Sequence, residues 1–126
     1  NTPAVATLIM LENQVRWLND NGGLAWASAR CARSASLLYQ WAEKSDYASP
    51  FVADKNARSN AVVTIDLDER ISATQVVAAL RENGIVDTNG YSKLGRYEVL
   101  IGVFPSVDPS DVDALTRCID YVVEHL

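Results

Sequence analysis

Between residues 45 and 60 the hydrophobic period of this chain changes, and that change decides which folds are open to it. Before it, Ala4, Leu8, Leu11, Val15 and Leu18 recur at spacings of four, three, four and three, which is one apolar stripe on a helix. A second helix is predicted over roughly 24–44, with Ala27, Cys31, Ala35, Leu38 and Ala42 on one face and Trp26, Tyr39 and Trp41 flanking it as packing residues. The "NDNGG" at 19–23 offers Gly22 or Gly23 for a left-handed cap, so the pair reads as an antiparallel helical hairpin. At its start, Thr2 is placed as the N-cap and Pro3 at the first helical position, where its missing N–H costs nothing.

After the change the pattern is mixed. "SDYASPFVADKNARSN" (45–60) is polar, lacks a helical period and reads as an irregular crossing. "AVVTIDL" (61–67) is β-branched and reads as a strand. "SATQ" (72–75) is a capping box that opens a helix with Val76, Val77 and Leu80 inward and Asn83-Gly84 at its end. A short strand is expected at 85–87, a loop at 88–95 and a strand at 97–104. Asp108 then caps a last helix that Pro109 begins, with Val112, Leu115, Ile119, Val122 and Leu126 on its inner face. The fold class is α+β: a helical hairpin, then a two-layer α/β sandwich with a small, mostly antiparallel sheet. The boundary is placed between residues 1–46 and 47–126.

Charge narrows the partners. A net charge of -5 over 126 residues argues against nucleic acid, which needs a basic face, and against an anionic membrane surface. No apolar run approaches the roughly 20 residues of a membrane span. Cys31 and Cys118 are read as reduced thiols packed as small hydrophobes, and the compartment as cytoplasmic. A single histidine, His125, excludes a histidine-rich metal site. The chain opens on Asn1 rather than Met, and is read as part of a longer protein.

Catalytic signatures are scarce. The acidic pair Asp111 and Asp113 reads as first-turn acids complementing a helix dipole. Two features carry chemistry. Asn1 and Thr2 stand at a helix N-terminus, which is a natural anion site as well as a simple cap. Lys93 and Arg96, beside Tyr91 and Tyr97, could hold a carboxylate or phosphate, or could be the charged edge that keeps a strand from pairing with other chains.

The stretches "NTPAVATLIMLENQVRWLNDNGG", "LLYQWAEKSDYASPFV", "RENGIVDTNGYSKLGR" and "IGVFPSVDPSDVDALTRCIDYVVEHL" together resemble the C-terminal part of the phosphoserine aminotransferases, pyridoxal-phosphate enzymes of the class V, fold-type I group. The resemblance implies that the hairpin is the end of the cofactor domain and the connection, and that residues from about 47 onward are the small domain. It implies amino transfer between phosphoserine and 2-oxoglutarate in serine synthesis by a homodimer. It also implies that the lysine holding the cofactor, and the acid partnering its ring nitrogen, lie outside this chain, so that the chain alone is inactive. Carried over residue by residue, Asn1 and Thr2 match the pair that reaches the cofactor phosphate of the neighbouring subunit. Lys93 and Arg96 fall where basic residues approach the substrate phosphate. The arginine expected to bind the substrate α-carboxylate is Leu100 here, a departure that puts substrate or activity in question.

Two other readings stay open on the residues alone. One is a stand-alone amino-acid-binding or regulatory module of the ACT type. The other is a dimerisation module built on the amphipathic helices.

Overall fold

The computed structural model describes residues 2–91 and 97–126. Four helices, α1 (Val5–Asp20), α2 (Gly23–Lys44), α3 (Ala73–Glu82) and α4 (Pro109–Glu124), accompany three strands, β1 (Ala48–Pro50), β2 (Val62–Leu67) and β3 (Glu98–Gly102). The strands form one antiparallel sheet in the order β1-β2-β3. Ala48 lies opposite Leu67, Ile65 opposite Val99, and Val63 opposite Ile101. Because side chains alternate along a strand, these rungs share a face. That face is buried together with Leu38 and Ala42 of α2, Val76 and Leu80 of α3, and Val112 and Ile119 of α4. The result is the expected two-layer α+β arrangement, helices on one side of the sheet.

The N-terminal helix starts later than its sequence suggests. Val5 N–H donates to Pro3 O at 2.8 Å and Ala4 sits at φ -73, ψ 69, which is an inverse γ-turn. That turn leaves Thr2 outside the helix: the N-cap is Ala4, with no side-chain cap. At the other end Gly22 (φ 113) and Gly23 (φ 68) both take the left-handed region and pass the chain directly into α2. Trp17 meets Trp26 edge-on across this junction, at 5.4 Å between ring centroids. Otherwise α1 packs on little. None of its residues is buried, and Leu8 and Leu11 of its stripe remain 56% and 57% exposed.

Two further expectations need correction. The 45–60 crossing is not wholly irregular, since β1 and a 3-10 turn at Lys55–Ala57 fall within it. Pro50 hides the strand from a sequence reading but is tolerated there, because β1 is an edge strand. Conversely, no strand forms at 85–87. Those residues are taken up by the end of α3, where Ile85 N–H reaches Leu80 O at 2.9 Å and Gly84 N–H reaches Arg81 O at 3.1 Å, the paired bonds of a Schellman cap. Asp87 (φ 60) then turns the chain, and only at Thr88 and Asn89 does it meet the edge of β3, with Leu100 N–H donating to Thr88 O.

The remaining caps follow the sequence. Ser72 Oγ accepts from Gln75 N–H at 3.3 Å, the serine half of the capping box. Asp108 caps α4 through Ser110 N–H at 2.9 Å. Trp41 is a packing residue with a polar handle: its Nε1–H and the Tyr47 hydroxyl both donate to Asp120 Oδ1, at 2.9 and 2.5 Å, joining α2 to α4. Burial first, then Asp120, pushes the Tyr47 phenol well above its ordinary pKa.

Candidate functional site

The side of the sheet that the helices leave open carries Val62, Thr64 and Asp66 on β2, and Leu100 and Gly102 on β3. All five are half-buried. Leu100 stands directly opposite Thr64, and two rungs along, Glu98 stands opposite Asp66. The strand expected here forms as β3, and its register puts the aliphatic Leu100 on the open side of the sheet.

The turn after β3 is anchored from behind. Arg30, on α2, donates from Nε to Pro105 O at 2.8 Å and from a terminal nitrogen to Asp108 Oδ2 at 2.9 Å, while its guanidinium lies over the Trp26 ring. The Ser110 hydroxyl and N–H, and then Arg30, hold the Asp108 carboxyl well below the usual carboxylate range. A second arginine, Arg58, lies over Tyr39 and pairs with Glu43 at 2.6 Å, fixing the chain between β1 and β2 to α2. Neither arginine was singled out in the sequence, because the ion pairs of Arg30 with Asp108 and of Arg58 with Glu43 span 78 and 15 residues of chain.

Of the candidate residues, Thr2 is exposed ahead of α1. Asn1, Lys93 and Arg96 lie outside the described residues. Cys31 and Cys118 are both free thiols and half-buried. Lys44 is exposed at the end of α2 and Lys55 is held by Glu43 at 3.0 Å. The described residues do not by themselves fit pyridoxal phosphate, since no lysine among them is set in an enclosed hollow where it could bind the cofactor covalently.

Sequence reasoning missed Glu98. Read as one position of an apolar strand, it is 3% exposed. Its Oε1 accepts from Tyr91 N–H at 2.6 Å, and its Oε2 has no hydrogen-bond partner among the described residues. The only signal in the sequence is an acid at the head of "EVLIGV", a poor place for a charge unless the fold answers it.

Comparison with known proteins decides the family likeness. All 126 residues align at 58% identity with the phosphoserine aminotransferase of Rhodococcus opacus (strain B4), and at 57% with that of Rhodococcus jostii (strain RHA1). The chain matches the C-terminal portion of phosphoserine aminotransferases. It spans 34% of the length of each of these two relatives. The fold agrees. Against the phosphoserine aminotransferase of Bacillus circulans subsp. alkalophilus the TM-score is 0.89 over 99% of this chain and 34% of that one, at 22% identity. A second phosphoserine aminotransferase, solved in a study of radiation damage to its Schiff base, gives 0.87 over 100% of this chain and 35% of that one, at 25% identity. No family model matches the sequence. Among the described residues, no helix is long and apolar enough to cross a membrane.

Proposed function

We propose that this chain works as the C-terminal part of a pyridoxal-phosphate-dependent phosphoserine aminotransferase, cytoplasmic and homodimeric, in serine synthesis. The observation that carries the reading is the unbroken match of all 126 residues to about a third of such enzymes. The structure supports it physically. α1 shows Val5, Leu8, Ile9, Leu11 and Val15 to solvent, and a helix with such a stripe gains stability only by burying it. A cofactor domain would cover that stripe. The chain division after residue 46 belongs to the same proposal, with α2 as the connection that packs on the small domain.

In this reading Asn1 and Thr2 approach the cofactor phosphate of the neighbouring subunit, and Lys93 and Arg96 approach the substrate phosphate. Pyridoxal phosphate, when bound, supplies the electron sink for amino transfer. This chain's part is to position and enclose the substrate. β3 sets the register of the substrate-facing side chains, and Arg30 fixes the turn that follows it.

A chimera tests the proposal. The part of the Rhodococcus opacus enzyme that precedes the match is joined to this chain, and phosphoserine-dependent glutamate formation is measured beside the intact relative. The chimera is expected to transaminate, and this chain alone is not. A folded, cofactor-loaded chimera with no turnover for any phosphorylated or unphosphorylated amino acid would overturn the proposal.

A further inference from the structure

Asparagine stands directly before glycine three times in this chain, at Asn21-Gly22, Asn83-Gly84 and Asn89-Gly90. Such a pair can deamidate without an enzyme. The glycine nitrogen attacks the asparagine Cγ, an N–Cγ bond forms, the Cγ–Nδ2 bond breaks and ammonia leaves. Water then opens the cyclic imide at either carbonyl, giving aspartate or isoaspartate, and nothing is oxidised or reduced. Glycine favours the attack because it puts no Cβ in the way. By residue type the three pairs are equivalent. The fold makes them unequal.

At the first two pairs both reacting groups are engaged. Asn21 Nδ2 donates to Trp17 O at 2.8 Å, and Gly22 N–H to Asn19 O at 3.0 Å. Asn83 Nδ2 donates to Ala79 O at 2.8 Å, and Gly84 N–H to Arg81 O at 3.1 Å. Each side-chain amide is turned back along its own helix, so reaction there requires a helix end to unravel.

Asn89 is held differently. It is exposed, and its side-chain amide has no hydrogen-bond partner among the described residues. Its backbone meets the sheet through one isolated bridge, to Val99. It also borders a hollow of about 200 Å³ between the 89–91 segment, α3 and Glu98, which gives its side chain space to swing over the Gly90 nitrogen. Opening a single rung breaks fewer bonds than unravelling a helix cap.

We propose that Asn89 is a modification site, where deamidation onto the Gly90 nitrogen converts the residue to aspartate or isoaspartate and loosens the chain from β3. An isoaspartyl link lengthens the backbone by one methylene. It does so where a Cβ at Gly90 would already stand 2.5 Å from Glu98 O. It also brings a second carboxylate near that of Glu98, which is 3% exposed. Both changes lift the 89–91 segment. The inference rests on these contacts and not on the transaminase reading, so either can fail without the other.

The test is ageing of the full chain in mildly alkaline buffer, followed by proteolytic mapping and mass spectrometry that separates asparagine, aspartate and isoaspartate at each pair. A sample aged in urea shows the three pairs without the fold. In urea they are expected to convert at similar rates. In the folded chain Asn89 is expected to convert at least about tenfold faster than Asn21 or Asn83. The isoaspartyl form should then unfold at lower urea than fresh chain. Asn89→Gln, whose longer side chain closes the imide ring far more slowly, should keep its midpoint through the same ageing. The mapping needs no variant, so it decides the matter even if Asn89→Gln folds poorly. Asn21 or Asn83 keeping pace with Asn89 in the folded chain would overturn the proposal. So would no conversion at Asn89 over a period that converts the unfolded sample, or an isoaspartyl form as resistant to urea as fresh chain.

Discussion

Gly90→Ala is expected to lower the unfolding free energy by about 3 kcal/mol, the upper end of what overpacking usually costs. The reason is geometric. The added methyl would meet Glu98 Cγ at 2.3 Å and, more seriously, the Glu98 carbonyl oxygen at 2.5 Å. A side chain can swing away, but that oxygen belongs to β3, whose register against β2 runs through five rungs from Val62–Gly102 to Asp66–Glu98. The backbone at 89–91 must therefore lift, and the Tyr91 N–H bond to Glu98 and the Asn89–Val99 bridge go with it. Gly90 is not in the left-handed region, so the penalty is one of close approach and not of φ. Urea unfolding followed by circular dichroism measures it. A midpoint unchanged by the substitution would mean that the segment beside β3 does not lie where the structure puts it.

Leu100→Arg, made in the chimera, is expected to raise kcat/KM for phosphoserine by about tenfold or more. Leu100 is half-buried on the open side of the sheet, opposite Thr64, and cannot offer a carboxylate the paired charge-assisted bonds of a guanidinium. A charged hydrogen bond gained in the transition state is worth about 1.5–3 kcal/mol, which is a factor of roughly ten to a hundred. Steady-state kinetics with phosphoserine, and with an amine that lacks the α-carboxylate, separates the possibilities. A gain confined to phosphoserine supports the role assigned to this position. Equal rates before and after the substitution, in a folded chimera, would remove it.

How much of this could be read from the residues depends on the range over which each signal acts. The stripes of α2, α3 and α4 were legible because their period is local, and the core buries Leu38, Val76, Leu80, Val112 and Ile119; Leu126, expected on the inner face of α4, instead lies past the end of that helix and is 60% exposed. β2 and β3 were legible from runs of branched and apolar residues. Thr2 misled because Thr-Pro ahead of an apolar stripe satisfies the rule for a helix start, whereas the inverse γ-turn at Ala4 depends on backbone angles that no residue type there announces. β1 was missed because three residues ending in proline form a strand only when β2 is present to pair with them. The hollow at Glu98 was invisible for a similar reason. It needs α3, the 89–91 segment and β3 together, and in the sequence these are separated by loops.

α1 shows the other side of the same argument. Its stripe was read correctly as apolar, yet nothing among the described residues buries it. Hydrogen exchange along Val5–Asp20, compared between this chain alone and the chimera, asks whether that stripe is a seam. Our account predicts fast exchange in the chain alone, and in the chimera protection approaching that of the core around Leu38 and Ile65. Equal, fast exchange in both would contradict it.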